Sequence, residues 1–226
     1  MLGDKARFLA TLSQQYGWGY TRFDYQGHGQ SDGVFEHCSL HDWLGDALAV
    51  IDQTHHNQMH AEMGHQKIVL VGSSMGAWLA SHVLLQRAST VAALVTVAAA
   101  PDFTQRLLWP ALNQEQQAGI TRGECISLPS RYDEQNWRVS NTLFESGRDL
   151  LLLDNNTEIN VGIPVRMLHG TADVDVPWKY SQLLLEKFSY TNDAALQLIR
   201  GADHRLSDEV CLNHLRFALK DVVKSF

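Results

Sequence analysis

The sequence predicts an α/β fold, in which helices cover both faces of a mostly parallel sheet. Short, nearly continuous apolar runs such as Lys67–Val71 and Val91–Val97 are typical of strands that are buried on both faces. Amphipathic segments such as Leu40–Thr54 alternate with these runs, as helices do in βαβ units. The 226 residues, of which 45% are hydrophobic and 19% charged, predict one domain with a substantial core.

The first predicted element is a helix whose apolar residues recur at helical spacing: Phe8, Leu9, Leu12 and Tyr16. Gly17 ends this helix, Gly19–Asp24 predicts a short strand, and Gln26–Gly33 predicts a glycine-rich turn. The helix Leu40–Thr54 and the strand Lys67–Val71 follow. A turn and a predicted helix over Met75–Arg87 then lead to the strand Val91–Val97.

The alternation of strands and helices breaks between Ala98 and about Val161. This block contains helical patches and no clear strand, and it predicts a lid inserted at about residues 102–160 between two core strands. The alternation then resumes with four predicted elements: Val165–His169, Tyr180–Phe188, Leu196–Ile199 and Asp208–Val223. The whole chain, 1–226, is therefore interpreted as one domain that carries a lid.

Composition excludes several classes of function. The net charge of −7 argues against a nucleic-acid partner, which requires a basic face. No run of about 18 apolar residues predicts a membrane span. Three cysteines without a C-x-x-C pair predict reduced thiols and a cytoplasmic location. The sequence leaves the oligomeric state open.

A G-x-S-x-G motif, Gly72–Gly76, lies between an apolar strand and a helix, which is the context of a nucleophile elbow. The sharp turn requires close backbone approach at Gly72 and Gly76, and it exposes the hydroxyl of Ser74 above the sheet. The N–H of Met75 begins the helix and predicts one donor of an oxyanion hole. The motif alone is also compatible with an ordinary turn of small residues.

Two later loops supply the partners that a serine nucleophile needs. Asp173 follows one predicted strand, and His204 follows the next, so both lie at the carboxyl edge of the sheet with Ser74. The order Ser, Asp, His is the one found in the α/β-hydrolase fold. We interpret His204 as the base and Asp173 as the acid that orients it. Asp175 competes for the acid role, Asp173 is also a possible helix cap, and any part for Ser73 is undecided.

Five segments make the resemblance to a known family specific: Arg22–Tyr25 with Gly27 and Gly29, Gly72–Trp78, Leu128–Tyr132, His169–Trp178 and Asp203–Arg205. Together they resemble α/β-hydrolases related to the mitochondrial palmitoyl-protein thioesterase and acyl-glucuronide esterase, and their bacterial relatives. The resemblance covers nearly the whole chain. It implies hydrolysis of acyl esters or thioesters without metal or cofactor. It also implies a triad of Ser74, Asp173 and His204, with Met75 as an oxyanion donor.

The start of the chain departs from that family pattern. Such hydrolases carry further strands and a Gly-containing loop before the helix that begins here near Asp4, and that loop supplies the second oxyanion donor. We therefore expect the natural protein to extend upstream of Met1. Without the additional strand, the sheet is expected to have a gap between Gly19–Asp24 and Lys67–Val71, or these two segments must pair directly.

Three further signals are weaker. The turn Gln26–Gly33 resembles a dinucleotide fingerprint, but its glycine spacing is wrong and no helix opens there. Four histidines cluster in a stretch that reads as a polar loop, which gives little support to a metal site: His55, His56, His60 and His65. Leu107, Leu108 and Trp109 either line an acyl pocket or pack the lid on the core.

Three functions remain in competition at this point. The first is hydrolysis of small acyl esters or thioesters through an acyl-enzyme on Ser74. The second is peptide or C–C bond hydrolysis on the same triad, since the pocket rather than the fold decides the substrate. The third is a catalytically weak or silent binding protein on a hydrolase scaffold.

Overall fold

Four parallel strands form the central sheet of the described residues. The computed structural model describes residues 3–60, 67–129, 136–154 and 157–224. The strands, in their spatial order, are β1 (Ile68–Ser73), β2 (Val91–Val97), β5 (Val165–Gly170) and β6 (Ala194–Ile199). The remaining two, β3 (Ile126–Leu128) and β4 (Trp137–Val139), form a separate antiparallel pair. The predicted mostly parallel sheet is therefore confirmed.

Helices occupy most of the segments between these strands. The α-helices among the described residues are α1 (Asp4–Tyr16), α2 (Leu40–His60), α3 (Met75–Arg87), α4 (Trp109–Ala111), α5 (Gln114–Thr121), α6 (Asn141–Asp149), α7 (Lys179–Glu186) and α8 (Glu209–Val223). Short 3-10 and π-helical turns cover Phe35–His37 and Thr104–Leu108. Gly17 ends α1 in the left-handed region at φ 68°, as its position in the sequence predicts.

The helices cover both faces of the sheet. On one face, α2, α3 and the segments after β2 pack with Leu94 in one hydrophobic cluster. On the other face, α1 and α8 pack with Val95 in a second cluster. All seven residues of β2 are buried, because this strand has neighbours on both sides and helices above and below. The continuous apolar pattern of Val91–Val97 therefore reflects burial on both faces of the sheet, as predicted.

The prediction of a strand over Gly19–Asp24 is wrong. These residues run without ladder pairing, although Phe23 packs against the first cluster. Direct pairing with β1 is also not observed, because the only ladder of β1 among the described residues joins it to β2. A segment becomes a strand only when a neighbouring strand supplies its hydrogen bonds, and among the described residues this segment has no such neighbour.

The long connection between β2 and β5, residues 98–164, also differs from the prediction. It contains the strand pair β3 and β4, where no clear strand was expected. Asp102 anchors its start, since this fully buried carboxylate accepts the N–H groups of Leu152 and Leu153 at 2.8 Å each. Trp78 of α3 donates its indole N–H to the carbonyl of Leu150 at 2.9 Å. The start of the connection is thus bonded to its later part, and that later part is bonded to the core helix α3.

Candidate active site

Three loops at one edge of the sheet bring the predicted site residues together. Ser74 follows β1, Asp173 lies beyond β5, and His204 lies beyond β6. Because these strands are parallel, their carboxyl ends meet at the same edge. Residues separated by up to 130 positions in the sequence therefore come within hydrogen-bond distance.

The turn between β1 and α3 has the geometry of a nucleophile elbow. Ser74 adopts φ 55° and ψ −121°, a strained conformation for a residue other than glycine. Its N–H donates to the carbonyl of Val97 at 2.9 Å, which ties the turn to the end of β2. A Cβ on Gly72 would lie 2.5 Å from the carbonyl oxygen of Gly76, so a larger residue does not fit there. The strand and helix approach each other closely at Gly72, as the motif predicts.

The expectation that Gly76 serves the same purpose is wrong. A Cβ built on Gly76 meets no atom within 4 Å outside its own helix, and its φ is not positive. Gly76 contributes its backbone oxygen to the crowded contact, whereas only Gly72 needs to lack a side chain. The structural requirement of the motif therefore falls on its first glycine.

A chain of hydrogen bonds links the three side chains. His204 Nδ1 lies 2.7 Å from Asp173 Oδ2, and His204 Nε2 lies 3.0 Å from Ser74 Oγ. A carboxylate only accepts, so Nδ1 of His204 carries the hydrogen and the neutral ring has its lone pair on Nε2. The hydroxyl of Ser74 then donates to that lone pair. This arrangement is competent for proton transfer from Ser74 to His204.

Asp173 is held as a carboxylate by its surroundings. Its side chain is completely buried, and burial by itself raises the pKa of a carboxyl group. Hydrogen bonds from His169, His204 and the N–H of Val176 outweigh burial and hold the pKa of Asp173 well below its ordinary value. Asp173 therefore stays ionised and presents an acceptor to His204.

Two other acidic residues on these loops, the candidate Asp175 and Asp203, help to shape the backbone. The backbone N–H of Asp175 donates to Asp173 Oδ1 at 3.0 Å, so this residue helps to shape the loop. Asp203 Oδ1 accepts the N–H groups of Arg205 and Leu206 and closes the turn after His204. The structure places Asp173 Oδ2 against His204 Nδ1 at 2.7 Å.

One neighbour of the site was not singled out by sequence reasoning. His169, at the end of β5, lies with its Nε2 3.0 Å from Asp173 Oδ2 and is fully buried. A histidine at the buried end of a predicted strand, four residues before the acid, is the signal that could have identified it. An uncompensated polar side chain in a buried strand is costly, so such a residue needs a polar partner.

Met75 is the first residue of α3, so its N–H has no carbonyl partner within the helix. That N–H stands beside Ser74 at the positive end of the helix dipole, which is the position predicted for an oxyanion donor.

Leu108 and Trp109 pack against the first hydrophobic cluster and are partly buried, as is Leu107. Trp109 also contacts Phe144 edge to face, with ring centroids 5.0 Å apart.

The histidine-rich stretch is helical where the structure describes it. His55 and His56 lie in α2 rather than in the expected loop, while the side chain of His60 and all of His65 lie outside the described residues. Part of the Leu128–Tyr132 segment that carried the family resemblance also lies outside them. Within the described ranges, no cluster of three potential metal-ligating side chains occurs.

Two surface cavities occur away from the three loops. One, of about 540 Å³, is lined by residues of β5, β6 and α8, and the other, of about 430 Å³, by residues near Phe23 and Asp46. Neither is lined by Ser74, Asp173 or His204.

In the stretches that the structure describes, no helix combines the length and apolar composition that a membrane span requires.

The parallel sheet, its covering helices and the serine at the sharp turn after β1 define the class: the chain is a hydrolase of the α/β-hydrolase fold. Comparison with known proteins identifies the group within that class. The family model described as "Serine aminopeptidase, S33" matches residues 3–124, and the chain belongs to this family.

Several relatives match almost the whole chain. The mitochondrial palmitoyl-protein thioesterase ABHD10 of Bos taurus is 32% identical over 226 residues, which cover 99% of this chain and 69% of the relative. The solved mouse ABHD10 structure is 31% identical, covers 100% of this chain and 85% of its own, and superposes with a TM-score of 0.82. A crystal structure of a protein from Agrobacterium vitis S4 is 33% identical, with a TM-score of 0.87 and coverages of 98% and 83%.

Proposed function

We propose that this hydrolase cleaves carboxylic ester or thioester bonds of acyl groups, with Ser74 as nucleophile, His204 as base and Asp173 as the acid that orients His204. The observation that carries the proposal is the unbroken hydrogen-bond chain, 3.0 Å from Ser74 to His204 and 2.7 Å from His204 to Asp173. A serine hydroxyl at neutral pH is a poor nucleophile unless a neighbouring base accepts its proton. His204 is that base in this proposal, with its hydrogen on Nδ1 toward Asp173 and its lone pair on Nε2 toward Ser74.

The reaction follows from these contacts. Ser74 Oγ attacks the acyl carbonyl carbon while His204 Nε2 takes the hydroxyl proton, and the carbonyl oxygen becomes an oxyanion near the N–H of Met75. The bond to the leaving alcohol or thiol breaks as His204 returns the proton to it. Water then attacks the acyl carbon of the acyl-enzyme while His204 takes its proton. The bond between the acyl carbon and Ser74 Oγ breaks, His204 returns the proton to Ser74, and the carboxylic acid leaves. Each step uses only side chains, one backbone donor and water.

The substrate class rests on the relatives and on the connection between β2 and β5. Relatives 31–32% identical are named as palmitoyl-protein thioesterases, which supports an acyl group as the portion bound by the enzyme. We propose that residues 102–160 act as a lid and that Leu107, Leu108 and Trp109 line the acyl pocket. Leu108 and Trp109 pack against the core, and all three side chains are only partly buried, which leaves apolar surface for an acyl chain.

A panel of substrates tests this function. Wild type is expected to hydrolyse p-nitrophenyl esters or acyl-CoA thioesters, and Ser74→Ala is expected to lose up to about 10⁶-fold in kcat. Ser73→Ala is the matched control, since Ser73 ends β1 one residue earlier, and it is expected to keep most activity. A dead Ser73→Ala enzyme with an active Ser74→Ala enzyme would contradict the assignment.

The same panel separates the competing functions. Amino-acid p-nitroanilides test the peptidase alternative, which the description of the family keeps relevant. Turnover of anilides without turnover of esters or thioesters would contradict the proposed substrate class. Binding of acyl compounds without any turnover would instead indicate a silent protein on a hydrolase scaffold.

A further inference from the structure

The imidazole of His169 is fixed from both of its nitrogens. Its Nε2 lies 3.0 Å from Asp173 Oδ2 and 2.9 Å from the carbonyl oxygen of Val176. Neither oxygen has a hydrogen to give, so Nε2 of His169 carries the hydrogen and donates between them. The ring is fully buried, and water therefore does not compete for this hydrogen.

The opposite nitrogen meets a hydroxyl from a different element. His169 Nδ1 lies 2.7 Å from Ser181 Oγ on α7, and Ser181 is also fully buried. With its hydrogen on Nε2, the neutral ring accepts at Nδ1, so the hydroxyl of Ser181 donates to it. The two acceptors at Nε2 thus fix the tautomer of His169, and the contact with Ser181 fixes the plane of the ring.

The carboxylate of Asp173 is consequently held by four donors. Its Oδ1 accepts the N–H groups of Asp175 at 3.0 Å and Val176 at 2.8 Å. Its Oδ2 accepts His204 Nδ1 at 2.7 Å and His169 Nε2 at 3.0 Å. The two imidazoles share one oxygen, so the position of Oδ2 depends on both. Loss of the His169 donor leaves His204 as the sole side-chain donor to this oxygen within the described residues.

We propose that His169 is a positioning residue of the triad: supported by Ser181, it holds Asp173 Oδ2 at the point where His204 Nδ1 donates to it. His169 touches no reacting atom and acts only through Asp173. The proposal rests on the proposed function, because the position of Asp173 affects turnover only if His204 activates Ser74.

Two substitutions of nearly equal chemistry separate positioning from packing. In His169→Gln, the amide nitrogen takes about the place of Nε2 and keeps a donor to Asp173. In His169→Asn, the shorter amide takes about the place of Nδ1, which keeps a partner for Ser181 and loses the donor to Asp173. Both variants remove the ring, and Asn also leaves one methylene less than Gln in this buried space, so the cost in packing is measured separately as the loss of stability of each variant.

The kinetic expectation is specific to the missing donor. His169→Asn is expected to lose about 10–100-fold in kcat with little change in KM, the range for one hydrogen bond to a charged group. His169→Gln is expected to recover most of that loss. Thermal unfolding of both variants shows whether they fold equally well. Equal kcat values in the two variants, or a change confined to KM, would overturn the inference.

Crystal structures of the wild type and both variants supply a measurement that does not depend on turnover. In His169→Asn, the carboxylate of Asp173 is expected to rotate, which lengthens its 2.7 Å contact with His204 Nδ1. In His169→Gln, that contact is expected to persist. An unchanged contact in His169→Asn would overturn the inference even if the protein hydrolysed nothing. Inactive wild-type enzyme with the expected rotation would instead contradict the proposed function alone.

Discussion

At the scale of single residues, two aspartates of one loop differ in what they offer to His204. The side chain of Asp173 bonds His204 at 2.7 Å, whereas Asp175 supports the loop through its backbone N–H. In Asp173→Asn, an amide nitrogen at the position of Oδ2 cannot accept from His204, which favours the wrong imidazole tautomer. We expect a loss on the order of 10⁴-fold in kcat.

Asp175→Asn is the matched control for that substitution. It keeps the backbone N–H that donates to Asp173 Oδ1, so we expect only a mild loss of kcat. Steady-state hydrolysis of one ester by both variants measures the ranking. A larger loss in Asp175→Asn than in Asp173→Asn would contradict the assignment of the acid.

The charge states of Asp173 and His204 predict the pH dependence of turnover. Burial raises the pKa of Asp173, but hydrogen bonds outweigh burial and hold that pKa below its ordinary value of 3.8. The carboxyl group of Asp173 therefore stays ionised as the pH rises from about 4. His204 accepts the proton of Ser74 only in its neutral form. We therefore expect kcat/KM to rise between acid and neutral pH. A flat profile over this range would contradict a histidine base.

At the scale of elements, the turn between β1 and α3 predicts opposite effects for its two glycines. In Gly72→Ala, the new Cβ lies 2.5 Å from Gly76 O and 2.7 Å from Ala77 Cα, so strand and helix must separate. We expect about 1–3 kcal/mol lower stability, as in other overpacked sites, together with lower activity. Denaturant unfolding and ester hydrolysis measure the two effects.

Gly76→Ala has no comparable clash, because no atom outside its own helix lies within 4 Å of the added Cβ. Alanine is also the better helix former, so we expect unchanged or slightly higher stability. Equal destabilisation by Gly72→Ala and Gly76→Ala would show that the motif requires both glycines, contrary to the structure.

The sequence predicted elements best where periodicity and packing agree. The apolar run Val91–Val97 coincides with β2, because a strand covered on both faces needs an apolar side chain at every position. Gly19–Asp24 also predicts a strand and is not one, because pairing depends on a neighbour that local sequence does not reveal. The short pair β3 and β4 was not predicted because strands of three residues carry little periodicity.

For the site, the sequence predicts which loops carry the residues but not which contacts those residues make. The positions of Ser74, Asp173 and His204 follow from strand order, since each was assigned to the loop after a predicted parallel strand. Distances and hydrogen-bond partners do not follow from order. The contact of His169 with Asp173 arises from the path of the loop after β5, which turns back over the strand end. Only the folded chain shows this path.

At the scale of the whole molecule, the sheet determines which side chains meet. The order β1-β2-β5-β6 places the loops of three separate strands at one edge, although the connection of residues 98–164 separates them in sequence. Within this connection Asp102 bonds the backbone of Leu152, and Trp78 of α3 bonds the carbonyl of Leu150. The central claim is that this assembly makes one hydroxyl, that of Ser74, nucleophilic through His204.

Mass spectrometry after reaction with a fluorophosphonate tests that claim most directly, because the probe forms an O–P bond only with an activated hydroxyl and releases fluoride. We expect one adduct per chain, located at Ser74 by peptide mapping, retained in Ser73→Ala and absent from Ser74→Ala and His204→Ala. An adduct at Ser73 or another residue, or an unchanged labelling rate in His204→Ala, would contradict it.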